Sequence, residues 1–170
     1  MEEILIVDGY NVIGDWAKLQ KKKEESLEEA RDELLSMLAD YQGYTGIRII
    51  VIFDAYNVKG VGKRVKQYGI DIRYTREKET ADEMIERLVR ELSHRQRQIY
   101  VATSDYTEQR VTFGYGALRK SARELWNDVK QVRRNISEKV EETKQGSPGG
   151  RLVLSEDLQK IFEKWRRGEH

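Results

Sequence analysis

Ile4-Leu5-Ile6-Val7-Asp8-Gly9-Tyr10-Asn11 is the stretch from which the fold can be read: an apolar run that closes on a carboxylate, then a glycine and an asparagine. The run reads as a strand. Gly9 lets the backbone turn sharply, which leaves Asp8 at the strand tip and Asn11 a turn away. The pattern recurs where Ile49-Ile50-Val51-Ile52-Phe53 closes on Asp54, and again where Ile99-Tyr100-Val101-Ala102-Thr103-Ser104 leads into Asp105. A weaker alternation of Ile70, Ile72 and Tyr74 predicts a less buried strand.

Between these runs lie helical stripes, each opened by a Ser or Thr with Glu three residues on: Ser26 with Glu29, Thr80 with Glu83, Ser121 with Glu124. That spacing is the capping box, in which side chains satisfy orphan backbone N–H groups. The last stripe, Ala122, Leu125, Val129, Val132, Ile136 and Val140, predicts a helix of about six turns. Alternating strands and helices predict an α/β fold with a mainly parallel, doubly wound sheet flanked by helices. In strand order 3-2-1-4 the first and fourth runs are neighbours where the winding reverses, which is where such sheets bind ligands. Asp8 and Asp105 are then adjacent.

Asp82 is the second residue after the Thr80 cap, spaced from Ile85 and Val89 so as to fall at the edge of the inward stripe. Each acid has a plain structural alternative. Asp8 and Asp54 can cap loops, and Asp82 can simply favour the positive end of its helix. Brought together on one rim, however, Asp8, Asp54, Asp82 and Asp105 repel one another unless a cation joins them. Carboxylate oxygens suit a hard divalent ion such as Mg²⁺ or Mn²⁺. The chain has no Cys and only two His, which leaves almost nothing to build a zinc site or a Ser-His-Asp triad. A metal-activated water is the nucleophile this composition allows.

The 170 residues predict one domain, and the formal net charge of +1 hides a strong segregation. Residues 24–40 are acidic and read as a solvated face. Residues 56–78 and 110–134 are basic, and two such stretches flanking a carboxylate site suit a polyanion whose backbone is to be cut. Lys59, Lys63, Arg64, Arg119, Lys120 and Arg123 are the candidates for gripping phosphates, against the alternative that each is a solvated surface cation. Tyr56, Tyr68, Tyr106, Phe113 and Tyr115 are candidates for stacking on bases. The expected organisation is a nuclease-like domain over 1–143, a Gly/Pro linker over 144–150, and a tail helix over 151–170 packed on the same domain. No signal peptide or membrane-spanning run is expected, so the expected compartment is the cytoplasm.

Val7-Asp8-Gly9-Tyr10-Asn11-Val12-Ile13-Gly14, Phe53-Asp54-Ala55, Glu79-Thr80-Ala81-Asp82-Glu83 and Ala102-Thr103-Ser104-Asp105-Tyr106-Thr107-Glu108-Gln109 together resemble the NYN domains, a branch of the PIN-like nucleases. Gly116-Ala117-Leu118-Arg119-Lys120-Ser121 and Phe162-Glu163-Lys164-Trp165 extend the resemblance to the bacterial YacP-type group over nearly the whole chain. The resemblance implies a PIN-like fold and a metal-dependent endoribonuclease. It also implies association with the ribosome and cleavage of mRNA in the A site. No nucleotide cofactor is expected, since Gly114-Tyr115-Gly116 lacks the spacing of a phosphate loop. By motif, Asp8, Asp82 and Asp105 match the acidic cluster, and Asn11 and Asp54 match its polar companions. The competing readings are a non-catalytic RNA- or ribosome-binding module and an Asp-based phosphatase. Tyr10 argues against the phosphatase, because such enzymes carry a second Asp two residues after the first.

Overall fold

The computed structural model describes residues 1–55, 62–104 and 115–144. Asp105, Lys59, Tyr56, Tyr106, Phe113 and the expected linker and tail helix lie outside them, apart from Lys144 at the end of the last helix.

Six strands form one sheet: β1 Glu2–Asp8, β2 Arg48–Phe53, β3 Arg64–Gln67, β4 Ile70–Tyr74, β5 Arg97–Ala102 and β6 Leu118–Lys120. Their order is β3-β4-β2-β1-β5-β6, and all neighbours are parallel except the β3–β4 pair. The four runs read from the sequence take the expected 3-2-1-4 order, with the first strand between the second and the fourth. Among the described residues five helices accompany them: α1 Gly9–Asp15, α2 Ala17–Glu25, α3 Leu27–Thr45, α4 Ala81–Leu92 and α5 Ala122–Lys144.

Alternation along the strands separates two cores. Leu5, Val7, Ile49, Val51 and Phe53 point to the side covered by α1, α3 and α5. Ile4, Ile6, Ile50, Ile52, Ile99 and Val101 point to the other side, where α4 packs Met84, Ile85, Leu88 and Val89 against them. Strands lined on both faces by fully buried Ile and Val are what a near-continuous apolar run encodes.

The three Ser and Thr caps form. The backbone N–H groups of Glu29, Glu83 and Glu124 donate to the hydroxyls of Ser26, Thr80 and Ser121 at 3.2, 3.1 and 3.1 Å. Trp16 ties the start of α2 to α5, its indole N–H donating 2.7 Å to the Ala122 carbonyl and its ring 5.0 Å from that of Trp126.

Two further strands are not among the runs read from the sequence. Arg64 belongs to the edge strand β3, and Arg119 and Lys120 lie on the edge strand β6 just ahead of α5. Both strands are short and polar, so neither leaves a hydrophobic signature. Partners across the ladder hold them in place.

Candidate active-site rim

Asp8 ends the central strand β1 in extended conformation and stands where α1 begins. It is only 7% exposed. In register it pairs with Ile52, so its side chain projects to the face that α4 covers. Alternation carried one residue past β2 puts Asp54 on that same face after Ile50 and Ile52, and past β5 it puts Thr103 there after Ile99 and Val101. The tips of three adjacent strands therefore direct their polar side chains to one side of the rim.

The loops that follow are stapled in place. Asn11, in the first turn of α1, accepts from both the backbone N–H and the hydroxyl of Ser104 through its Oδ1, at 2.8 and 2.6 Å. This joins the β1 loop to the β5 loop immediately before Asp105. Because a backbone N–H can only donate, the contact fixes the amide orientation. The Asn11 NH₂ is thereby oriented away from Ser104.

Asp54 is bracketed by Thr75. The Thr75 N–H donates to the Phe53 carbonyl at 3.1 Å, and the Ala55 N–H donates to the Thr75 hydroxyl at 2.9 Å. Thr75 is 1% exposed, and the sequence reading missed it. Nothing distinguishes a threonine after a weak strand from any other loop threonine.

Asp82 corrects its expectation in part. It lies in the first turn of α4 as read, but it is exposed rather than leaning inward. Its angular position matches that of buried Ile85 and Val89. Ala81 and Met84 of the same turn pack on the core, while Asp82 itself faces solvent. Among the described residues no three acidic or histidine side chains stand close enough to hold a metal ion. Asp8, Asp54 and Asp82 therefore do not complete such a group by themselves, and the fourth acid of the set, Asp105, lies outside the described residues.

The basic candidates divide. Lys63, Arg119 and Arg123 are exposed. Lys120 is not a free cation: its ammonium is paired with Asp128 and lies 5.8 Å from the centre of the Tyr100 ring. Burial would lower its pKa, but Asp128 and Tyr41 outweigh burial and hold it above the ordinary 10.5. Arg64 is committed as well, its guanidinium meeting both oxygens of Asp71 at 2.9 and 3.3 Å. Lys120 is part of the scaffold, whereas the Arg64 side chain stays 63% exposed despite its partner.

No helix among the described residues is long and apolar enough to cross a membrane.

The YacP-like NYN domain profile matches residues 5–167. The chain is 52% identical over 167 residues to the uncharacterized protein YacP of Bacillus subtilis (strain 168), covering 98% of each. It is also similar to two crystal structures of Rae1 (YacP) from Bacillus subtilis. One, of a single-site mutant, gives a TM-score of 0.80 at 48% identity, covering 99% of this chain and 96% of that one. The other gives 0.76 at 52% identity, covering 97% and 95%.

Proposed function

This chain belongs to the YacP-like NYN domain family, and from that premise we propose that it is a metal-dependent endoribonuclease acting on mRNA in the ribosomal A site. The observation that supports the reading most is the nearly buried carboxylate of Asp8 at the tip of the central strand, beside the Asn11–Ser104 clamp. That is the point where the winding of the sheet reverses.

We assign Asp8, Asp82 and Asp105, with Asp54 at the edge, to a Mg²⁺ or Mn²⁺ ion. The donor set fits such an ion: hard carboxylate oxygens, with no thiol or imidazole among them. When bound, the ion supplies Lewis acidity toward the phosphate and acidifies a water. The chain's own residues do the rest. Asp8 brings its charge to the rim in a fixed direction, because β1 is held by a neighbour on each side. The clamped Asn11 presents its NH₂ as a donor to a phosphate oxygen. Lys63, Arg119 and Arg123 hold the flanking phosphates, and the reaction takes place in the cytoplasm with the ribosome as partner.

The test is RNA cleavage by the purified protein with Mn²⁺ or Mg²⁺, with and without ribosomes, beside Asp8→Asn. Loss of a carboxylate that supports a metal lowers activity by at least about 10–100-fold. Relieving crowded like charges leaves the melting temperature unchanged or higher. Cleavage by Asp8→Asn at the wild-type rate overturns the proposal.

A further inference from the structure

A concavity of about 780 Å³ opens between the end of α3, the amino ends of β2 and β4, and β3. Arg48, Arg64, Lys66 and Asp71 line it, and Gly46 and Gly69 leave it room. Resting on the reading of the chain as an RNA-cutting enzyme, we infer that this cleft and the tyrosines beside it form a docking surface for unpaired RNA, separate from the carboxylate rim.

The first reason is charge. Asp71 receives Arg64 at 2.9 Å, Arg73 at 3.3 Å and Arg48 at 3.8 Å. One guanidinium satisfies a carboxylate bidentately, and each carries five N–H donors. Arg64 and Arg73 each direct two N–H groups at the Asp71 oxygens, yet a single carboxylate balances the charge of only one guanidinium, so the cluster keeps a surplus of positive charge. Arg48 is shared between Glu2 at 3.7 Å and Asp71 at 3.8 Å, and exposed Lys66 adds a further cation. Arg73 is 13% exposed in its side chain, so the cluster is built into the sheet.

The second reason is aromatic. Of the large apolar side chains exposed among the described residues, Tyr44 at 43%, Val65 at 41% and Tyr68 at 38% all line or adjoin this cleft. Tyr68 and Gly69 form the two-residue turn of the β3–β4 hairpin, with φ of 55° and 81°. A turn with positive φ at both central positions favours Asn-Gly, and a tyrosine there is strained. Tyr68 is too exposed for core packing to justify the strain. An exposed ring held against its own backbone preference beside surplus guanidinium groups is what a base-stacking platform requires, with phosphates on the cations. A duplex hides its base faces, so the surface selects unpaired strands.

The third reason is position. Lys66 stands opposite Asp71, which pairs with Ile50, and Arg64 stands opposite Arg73, which pairs with Ile52. These side chains therefore share the sheet face toward which Asp8 projects. Strand β3 lies three strand spacings from β1, about 14 Å away. RNA engaged at the rim runs onto this face.

The experiment is fluorescence anisotropy in EDTA with the full-length protein, a labelled uridine-rich single strand and a duplex of the same length. The variants are Tyr68→Asn and Arg64→Ala/Lys66→Ala. Tyr68→Asn should weaken single-strand binding about fivefold or more while affecting the duplex less. Its melting temperature should stay or rise, because asparagine suits the turn. The double variant should bind more weakly and lower the salt slope by about one for each phosphate no longer held. If both variants bind the single strand as the wild type does, the inference falls and the rim reading stands. If the wild type binds no RNA, the inference falls, while the rim reading is decided by the cleavage assay with metal and ribosomes. If the variants keep RNA binding but stop sedimenting with ribosomes, the surface meets a ribosomal protein and the RNA assignment is overturned.

Discussion

Gly9 follows the strand-tip aspartate as the first residue of α1, and its φ is not in the left-handed region. The requirement for glycine is one of space. A Cβ at this position would press on Cε1 of Phe53, lie 2.6 Å from its Cδ1, and meet the Ile52 carbonyl at 3.0 Å. Phe53 cannot yield, being fully buried with its ring centre 5.0 Å from that of Tyr10 and 5.9 Å from that of Tyr74. Tyr10 is held in turn by Arg31, whose guanidinium donates to its hydroxyl at 3.0 Å. Gly9→Ala should cost about 1–3 kcal/mol in a urea melt, as overpacking does. RNA cleavage should drop with it, because the displaced backbone is that of Asp8. A wild-type melting curve would show that the ring has room after all. The motif pointed to the right glycine for a different reason, since a clash with a side chain 44 positions away leaves no trace in a local pattern.

Among the elements, α4 connects the cap to the chemistry. Its inward face is set by Met84, Ile85, Leu88 and Val89, and its first turn, which carries Asp82, is set by Thr80. The Thr80 hydroxyl accepts from the Glu83 N–H and donates to the Glu83 carboxylate at 3.2 Å. Thr80→Ala should cost about 1 kcal/mol, the usual value of a missing cap. Cleavage should fall by more than that stability loss implies, because a frayed first turn releases Asp82. Equal and small losses in both would mean that Asp82 needs no such positioning. Helix starts were legible because a cap is written within four residues. The inward lean of Asp82 was misread because helical phase reports an angle around the axis, and a residue at the edge of the stripe can turn to solvent while Ala81 and Met84 beside it pack on the core. Strands β3 and β6 escaped notice for a related reason, since edge strands are specified by their partners and carry charge by design.

For the molecule as a whole, the strand order was legible because buried parallel strands must be apolar throughout and helical crossovers must separate them. The completeness of the carboxylate group was not, since it depends on how loops from different strands approach one another. The overall charge balance leads to a prediction in acid. Burial would raise the Glu79 carboxyl, but the Arg76 N–H and Arg87 outweigh it and hold its pKa below the ordinary 4.5. Burial acts the same way on Glu33, and Lys18, Arg133 and Lys22 prevail there. A carboxyl depressed in the folded state binds its proton more readily when unfolded. The stability it contributes is thus present above the unfolded value and lost as pH falls through the folded one. The urea midpoint should hold steady from pH 7 to about 5 and decline below about 4.5. Glu79→Gln should make that decline shallower. An unchanged acid limb would mean that Arg87 contributes equally to both states.

The shared direction of Asp8, Asp54 and Thr103 follows from counting residues in twos along β1, β2 and β5. Such an arrangement tolerates exchange of one apolar residue for another but not a change in their number. Removing a single residue between Ile4 and Val7 would turn the Asp8 carboxylate through the sheet, into the apolar layer beneath α1 and α3. Over evolutionary time these strands are free to vary in composition, while insertions and deletions are confined to the connections between them.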